Sequence, residues 1–254
     1  MLRGLYTAYT GMLAQQQKMD TISNNLANVN TIGFKKDAAV FESFKDVYKI
    51  KINDPEAIGQ KSIGKGNLGV KVGEIYTDFT QGTFQQTDSP IDLALEGTGM
   101  FVIGVPNAEG ELSYKYTRDG SFNMDSQGRL VTHEGFFLIG ENGPITLTDT
   151  NIRISEEGNV FHGAELVDRV RTVDFENLNQ LKKIGSNFYE APETAGEKAF
   201  EGKVIQGFLE SSNVSSMDEM IHMINVMRTY ESNQKIITTY DTTLDKAVNE
   251  VGRV

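Results

Sequence analysis

Four asparagines, Asn24, Asn25, Asn28 and Asn30, fall within seven residues of the stretch SNNLANVNTIGF at 23–34. An asparagine amide both donates and accepts hydrogen bonds, and asparagine tolerates turn conformations. Two readings follow from chemistry alone. The cluster ends a helix, with Gly33 as its stop, or it forms a polar contact between subunits in which amides fix the register. Asn213 and Asn233, in the last fifth of the chain, could answer it from the other side. Other candidate chemistry is thinner. Asp88, Asp92 and Glu96 are four apart, and Asp119 lies near Asp125, but acidic residues are frequent enough here for chance to supply such pairs. His133, His162 and His222 have no partners at metal-ligand spacing, and without cysteine there is no thiolate ligand or thiol nucleophile. Ser, His and Asp are present without a G-x-S-x-G elbow. Gly64-Lys65-Gly66-Asn67-Leu68-Gly69 matches G-x-G-x-x-G, but Val70-Lys71-Val72 then begins a β pattern where a dinucleotide site needs a helix. Those glycines read as a flexible loop. The sequence therefore assigns no catalytic, cofactor-binding or metal residue.

Composition narrows the partners. The net charge is −11 over 254 residues, which disfavours nucleic acid, whose phosphates need a basic stripe. The charge is uneven. Residues 1–75 hold 10 Lys/Arg against 7 Asp/Glu, whereas residues 76–254 hold 14 against 28. That split reads as a solvated acidic surface or as head-to-tail attraction between copies, screened by salt. No apolar run approaches the ~18 residues of a membrane span, and the N-terminus lacks the unbroken apolar core of a cleaved secretory signal.

The elements that must carry these residues lie at the two ends. Leu2, Leu5, Tyr9, Met12, Gln16, Met19, Ser23 and Leu26 alternate three and four apart, a coiled-coil-like seam. Gly4, Ala8 and Gly11 add a row of small residues that lets another backbone approach. At the other end, Ser216-Met217-Asp218-Glu219 reads as a capping box, and Gly252 suits a stop. Between them runs a second seam: Met220, Met223, Met227, Tyr230, Gln234, Ile237, Asp241, Leu244, Val248 and Val251. Helices this long need partners along their length, because backbone ordering costs about 1–2 kcal/mol per residue.

The middle reads as β. Val70 and Val72 alternate, as do Ile91, Leu93 and Leu95, Tyr114 and Tyr116, Phe122 and Met124, and Ile152 and Ile154. Turn signals separate these runs, including 107–110, Asp119-Gly120 and Glu157-Gly158-Asn159. Short strands at such spacing predict a sandwich or barrel-like domain. The expected class is α+β: paired long terminal helices, coiled-coil-like, around a mostly β middle. The expected segments are an N-terminal helix at 1–29, an extended or β connector at 30–79, a β-rich domain at 80–205 and a C-terminal helix at 206–254.

With these blocks in view, the chain resembles the bacterial flagellar axial proteins of the rod and hook family. SNNLANVNTIGFKK at 23–36 is similar to that family's N-terminal rod signature. GTFQQTDSPIDLALEGTGMF at 82–101 resembles its middle block, and YTRDGSF at 116–122 resembles rod-protein sequences. GFLESSNVSSMDEMIHMI at 207–224 and RTYESNQK at 228–235 resemble its C-terminal block. The resemblance implies a structural subunit of the basal-body rod, exported through the flagellar type III apparatus and located outside the cytoplasm. Its partners would be copies of itself, other rod and hook axial proteins and the export apparatus, without nucleic acid or membrane insertion. The expected assembly interface pairs Leu5, Met12, Met19 and Leu26 with Met220, Met227, Ile237 and Leu244. Asn24, Asn25, Asn28, Asn213 and Asn233 would set the register. The alternative is a secreted β-domain module, or an assembly factor, on a coiled-coil base.

Overall fold

The computed structural model describes residues 2–51, 61–106, 112–149, 152–185 and 187–252. The turn expected at 107–110 lies outside them. The first helix, α1, spans Leu2–Ala27, and the last, α2, spans Ser216–Lys246. Asp218 and Glu219 stand in the first turn of α2, where carboxylates meet the positive end of the helix dipole. At its far end the helix widens into a π-helix at Ala247–Val251, and Gly252 N donates to Ala247 O over 3.1 Å. An α+β fold with a mostly β middle is what the periodicities predict.

The chain divides into two compact units. One gathers Met1–Leu26, Asp37–Tyr76 and Ser216–Val254; the other gathers Ala27–Lys36 and Thr77–Ser215. In the first, the helical unit, the connector is not loose. Strand Asp37–Ser43 pairs with Val70–Thr77, and Val47–Lys51 pairs antiparallel with Lys61–Gly66. Gly64 and Gly66 therefore lie in a strand, not in the flexible loop their spacing suggested. The turn comes later, where Asn67 Oδ1 accepts from Gly69 N over 2.9 Å. Gly69 sits at φ +140°, and any Cβ there would collide with the Thr10 hydroxyl of α1. A bare glycine is thus what lets the ribbon lie against the helix.

The second unit is β. Its central strand, Met100–Pro106, is buried from Met100 to Gly104. It pairs antiparallel with Leu112–Thr117, Phe137–Leu138 and Thr172–Phe175 within a nine-stranded sheet. Its alternating faces feed two cores. Phe101, Phe122, Leu130, Leu138 and Val160 belong to one; Met100, Val102, Tyr116, Phe175 and Tyr189 belong to the other. Phe101 packs edge-on against Phe122 at 5.3 Å, and Tyr116 edge-on against Phe175 at 4.9 Å. A three-stranded sheet, Ile152–Ile154, Asn159–His162 and Glu165–Arg169, stands beside them in the chain order. The unit closes on its own ends. Phe84–Gln86 pairs with Phe208–Glu210, and Leu93–Glu96 pairs with Lys203–Gln206.

Candidate assembly site

Within the helical unit, burial on α2 follows a strict alternation of four and three. Glu219, Met223, Val226, Tyr230, Asn233, Ile237, Tyr240, Leu244 and Ala247 are buried or half-buried, while most intervening positions are exposed. On α1 the corresponding row is Gly4, Ala8, Gly11, Gln15, Lys18, Ile22 and Asn25. The two rows meet at their small residues. A Cβ at Gly4 would collide with the Tyr240 ring, and one at Gly11 would lie 3.2 Å from Asn233 Nδ2. Seven residues up α1 answer seven down α2, so the helices run antiparallel.

These rows differ from the expected seams in one respect. Met223, Tyr230, Ile237 and Leu244 lie on the inner row of α2 as expected. The other half of that row is Val226, Asn233 and Tyr240, one residue earlier than the expected Met227, Gln234 and Asp241. Met220 and Met227 point away, 48% and 46% exposed. Leu5, Met12, Met19 and Leu26 are half-buried, flanking the small-residue row instead of forming its centre. Counting apolar residues selects bulky side chains, whereas close approach of two backbones selects small ones.

The asparagines separate by task. Asn25 is 2% exposed and spends its amide on one backbone group pair: Oδ1 accepts from Asp37 N, and Nδ2 donates to Asp37 O, both over 2.9 Å. It fastens the end of α1 to the first strand of the ribbon. Asn213 is likewise spent inside the chain. Its Oδ1 accepts from Lys36 N over 2.8 Å, and its Nδ2 donates to Asp78 O over 2.8 Å. Both amides bridge backbone groups within the chain. Asn28 caps a turn: its Oδ1 accepts from the Thr31 hydroxyl over 3.1 Å. Asn24 is exposed, and Asn233 faces Gly11.

Sequence reasoning missed a buried ion cluster in the β unit. Lys35, Arg118 and Glu210 are each at most 4% exposed. Glu210 Oε1 accepts from Lys35 Nζ over 2.6 Å and from Gly82 N over 2.8 Å; its Oε2 accepts from Arg118 Nε over 2.6 Å. Arg118 also donates to the carbonyls of Leu95, Gly97 and Gly99. Lys35 donates to Thr80 O over 2.8 Å. Burial pulls the Lys35 ammonium below its ordinary range; the Glu210 carboxylate opposes this, and the Arg118 charge adds to it. Around the cluster, Gly33 N donates to Glu210 O over 2.7 Å, and Asn187 Nδ2 donates to Ile32 O over 2.7 Å. Gly33 holds φ +67°, and a Cβ there would stand 2.6 Å from the Arg118 carbonyl carbon. The segment that leaves α1 and the segment that leads into α2 are thus bound to one buried carboxylate. The three charged residues lie one in each of GFKK, YTRDGSF and GFLESSN, and only their burial marks them out.

Three family descriptions match the chain in this order. Residues 5–35 match the flagella basal body rod protein, 94–162 the D1 domain of the flagellar hook protein FlgE/F/G, and 205–250 the C-terminal part of the flagellar basal body rod FlgEFG protein. The chain is 38% identical to the flagellar basal-body rod protein FlgG of Borreliella burgdorferi, covering 98% of each chain. This chain belongs to the flagellar basal-body rod protein family. It is also 36% identical to the FlgG rod protein of Bacillus subtilis, over 98% of this chain and 99% of that one. Against the flagellar hook-basal body complex protein FlhO of the same organism it is 31% identical, over the full length of both. The lysine, arginine and glutamate of the ion cluster fall in or near the matched segments of this rod family member. No helix among the described residues is long and apolar enough to cross a membrane. Nor do three His, Asp or Glu side chains group among them as a metal site.

Proposed function

We propose that this protein is a structural subunit of the flagellar basal-body rod, acting outside the cytoplasm without catalysis. It assembles with copies of itself and with other rod and hook axial proteins. In this reading α1 and α2 form an antiparallel coiled-coil-like pair, and many such pairs build the shaft. The observation that supports it best is the continuous four-three burial row on α2, met by Gly4 and Gly11 of α1. A row of this kind suits two helices lying side by side. The exposed apolar residues on the other helix faces then serve contacts between copies. Assembly also explains why so long a helix is worth ordering, since each added neighbour removes more apolar surface from water. Passage through the flagellar export apparatus is a further part of the proposal, and the chain's lack of cysteine suits such a route.

Electron microscopy of basal bodies tests the reading. Cells lacking the gene should make rods that are missing or stop short. Cells carrying Ile237→Asp should show the same defect while the purified variant keeps an intact β unit. Full rods and hooks in the deletion strain would reject the structural role.

A further inference from the structure

The chain enters or leaves the β unit between 26 and 27, 36 and 37, 76 and 77, and 215 and 216. Boundaries of compact units commonly fall in loose, solvated segments that few contacts cross. Here the last three are rooted in one another. Lys36, Asp78 and Asn213 each stand within two residues of a boundary, and inside the β unit they close a triangle of hydrogen bonds. Lys36 N donates to Asn213 Oδ1 over 2.8 Å, and Asn213 Nδ2 donates to Asp78 O over 2.8 Å. Asp78 N donates to Lys36 O over 2.9 Å. The Lys36 ammonium also lies 3.5 Å from Asp78 Oδ2, along one side of the triangle.

A second triangle backs the first on the same three segments. Lys35 Nζ donates to Glu210 Oε1 over 2.6 Å and to Thr80 O over 2.8 Å. Gly82 N closes the third side on Glu210 Oε1 over 2.8 Å. Asn213 Nδ2 lies 3.0 Å from Thr80 Oγ1 and so joins the two layers. The boundary at 26 and 27 is tied in through the peptide that follows it, since Gly33 N donates to Glu210 O over 2.7 Å. Residues 35 and 36 belong to no strand, so these bonds, and not a sheet ladder, hold them to the other segments.

Burial alone does not demand the outer triangle. Lys36, Asp78 and Asn213 are only half-buried, and water can satisfy backbone groups at that depth. What protein partners add over water is connection. Bonds in parallel share a load and must break together, and the inner layer is charge-assisted and therefore the stronger one. We infer that the two triangles form an anchor that divides among three chain segments any force arriving along one of them. Asn213 is its hub, and the Lys35–Glu210 pair is its buried backing. A subunit of a shaft under load gains from this, because force reaching the β unit does not peel one segment at a time. The inference rests on the reading of the chain as a rod subunit, which the deletion strain tests separately.

The absence of native cysteine lets pulling handles be placed on the full-length chain. Asn30→Cys/Ser215→Cys puts both handles at exposed positions, one on each side of the anchor. In optical tweezers, the native ties should give a first rupture that releases a short length of chain. The β core should then open at its own, separate force. Adding Asn213→Ala should lower the first rupture force at least twofold, and Lys35→Met should lower it too. The core event should persist in both variants, which shows that they fold. If Asn213→Ala shows no core event, Lys35→Met decides alone. Asn142→Ala removes a 3.1 Å side-chain bond to Asp168 elsewhere in the β unit and should leave the first rupture as it is. An unchanged first rupture in the folded anchor variants would overturn the inference. So would an equal drop with Asn142→Ala, which marks general weakening, or a native core that opens before the first tie. Each of these leaves the rod reading standing, whereas full rods in the deletion strain would reject that reading whatever the tweezers record.

Discussion

At the scale of single residues, Glu210 is the most consequential side chain in the β unit. Two buried cations, Lys35 and Arg118, share its carboxylate. Removing one partner of a buried ion pair leaves an uncompensated charge and costs about 3–5 kcal/mol. Glu210→Gln should therefore lower stability by about that much, read as a shift in the denaturant midpoint of the full chain. Lys35→Met should cost less, because it leaves the Glu210–Arg118 pair balanced. A larger loss from Lys35→Met than from Glu210→Gln would contradict this ordering. The same lysine sets a pH dependence. Its pKa in the fold lies below 10.5, the ordinary value for lysine, so between those two values the folded chain binds fewer protons than the unfolded one. Stability then rises with pH through that window and is flat below it. The stability of the native chain relative to Lys35→Met should increase as pH approaches 10.5; a decrease would reject the assignment.

At the scale of elements, Gly4 and Gly11 of α1 stand where Tyr240 and Asn233 of α2 leave no room for a larger side chain. Leucine at Gly4 and Gly11 should raise intrinsic helix propensity by about 1 kcal/mol per site. It should nonetheless push Tyr240 and Asn233 aside and separate α1 from α2. The double variant Gly4→Leu/Gly11→Leu is expected to block incorporation into rods while the β unit melts unchanged. Normal incorporation would show that the small-residue row is dispensable. Met227→Asp should block incorporation too, but through contacts between copies, so its monomer should keep the helical content of the native chain by circular dichroism. A joint loss of helix and incorporation would place Met227 inside the intramolecular seam after all.

At the scale of the whole molecule, the division into units is not a division of the sequence. The peptide 27–36 belongs to the β unit although α1 and the ribbon flank it on both sides. Brief proteolysis of dilute protein should remove α1, the 37–76 ribbon and α2. The surviving core near 77–215 should retain the 27–36 peptide without a covalent link, held by its bonds to Glu210 and Asn187. Native mass spectrometry would detect that pair, and a bare core would count against it. Charge gives a second prediction at this scale. With a net charge of −11, copies repel one another, and salt screens that repulsion. If exposed apolar residues of the helices carry the association, polymer mass should grow between about 0.05 and 1 M salt. A fall would favour the head-to-tail electrostatic attraction suggested by the uneven charge.

Several features needed only the order of residues. Apolar spacing at three and four gave both terminal helices, because a helix returns the same face to a core every 3.6 residues whatever surrounds it. Alternation gave the strands from Val70, Leu93, Tyr114 and Ile152 for the equivalent reason with a period of two. The blocks SNNLANVNTIGFKK, YTRDGSF and GFLESSN gave the family. Tertiary structure alone decided what those residues do for one another. The buried half-row of α2 falls at Val226, Asn233 and Tyr240, and the last two face Gly11 and Gly4 of α1, residues that a hydrophobic count ignores. Asn25 and Asn213 could serve a turn or a neighbour equally well by type; in the fold they bond to the backbone of Asp37, Lys36 and Asp78. Lys35, Arg118 and Glu210 lie up to 175 residues apart and look like surface charges in the sequence. Burial makes them one site, since a charge stripped of water must find its partner wherever the fold has placed it.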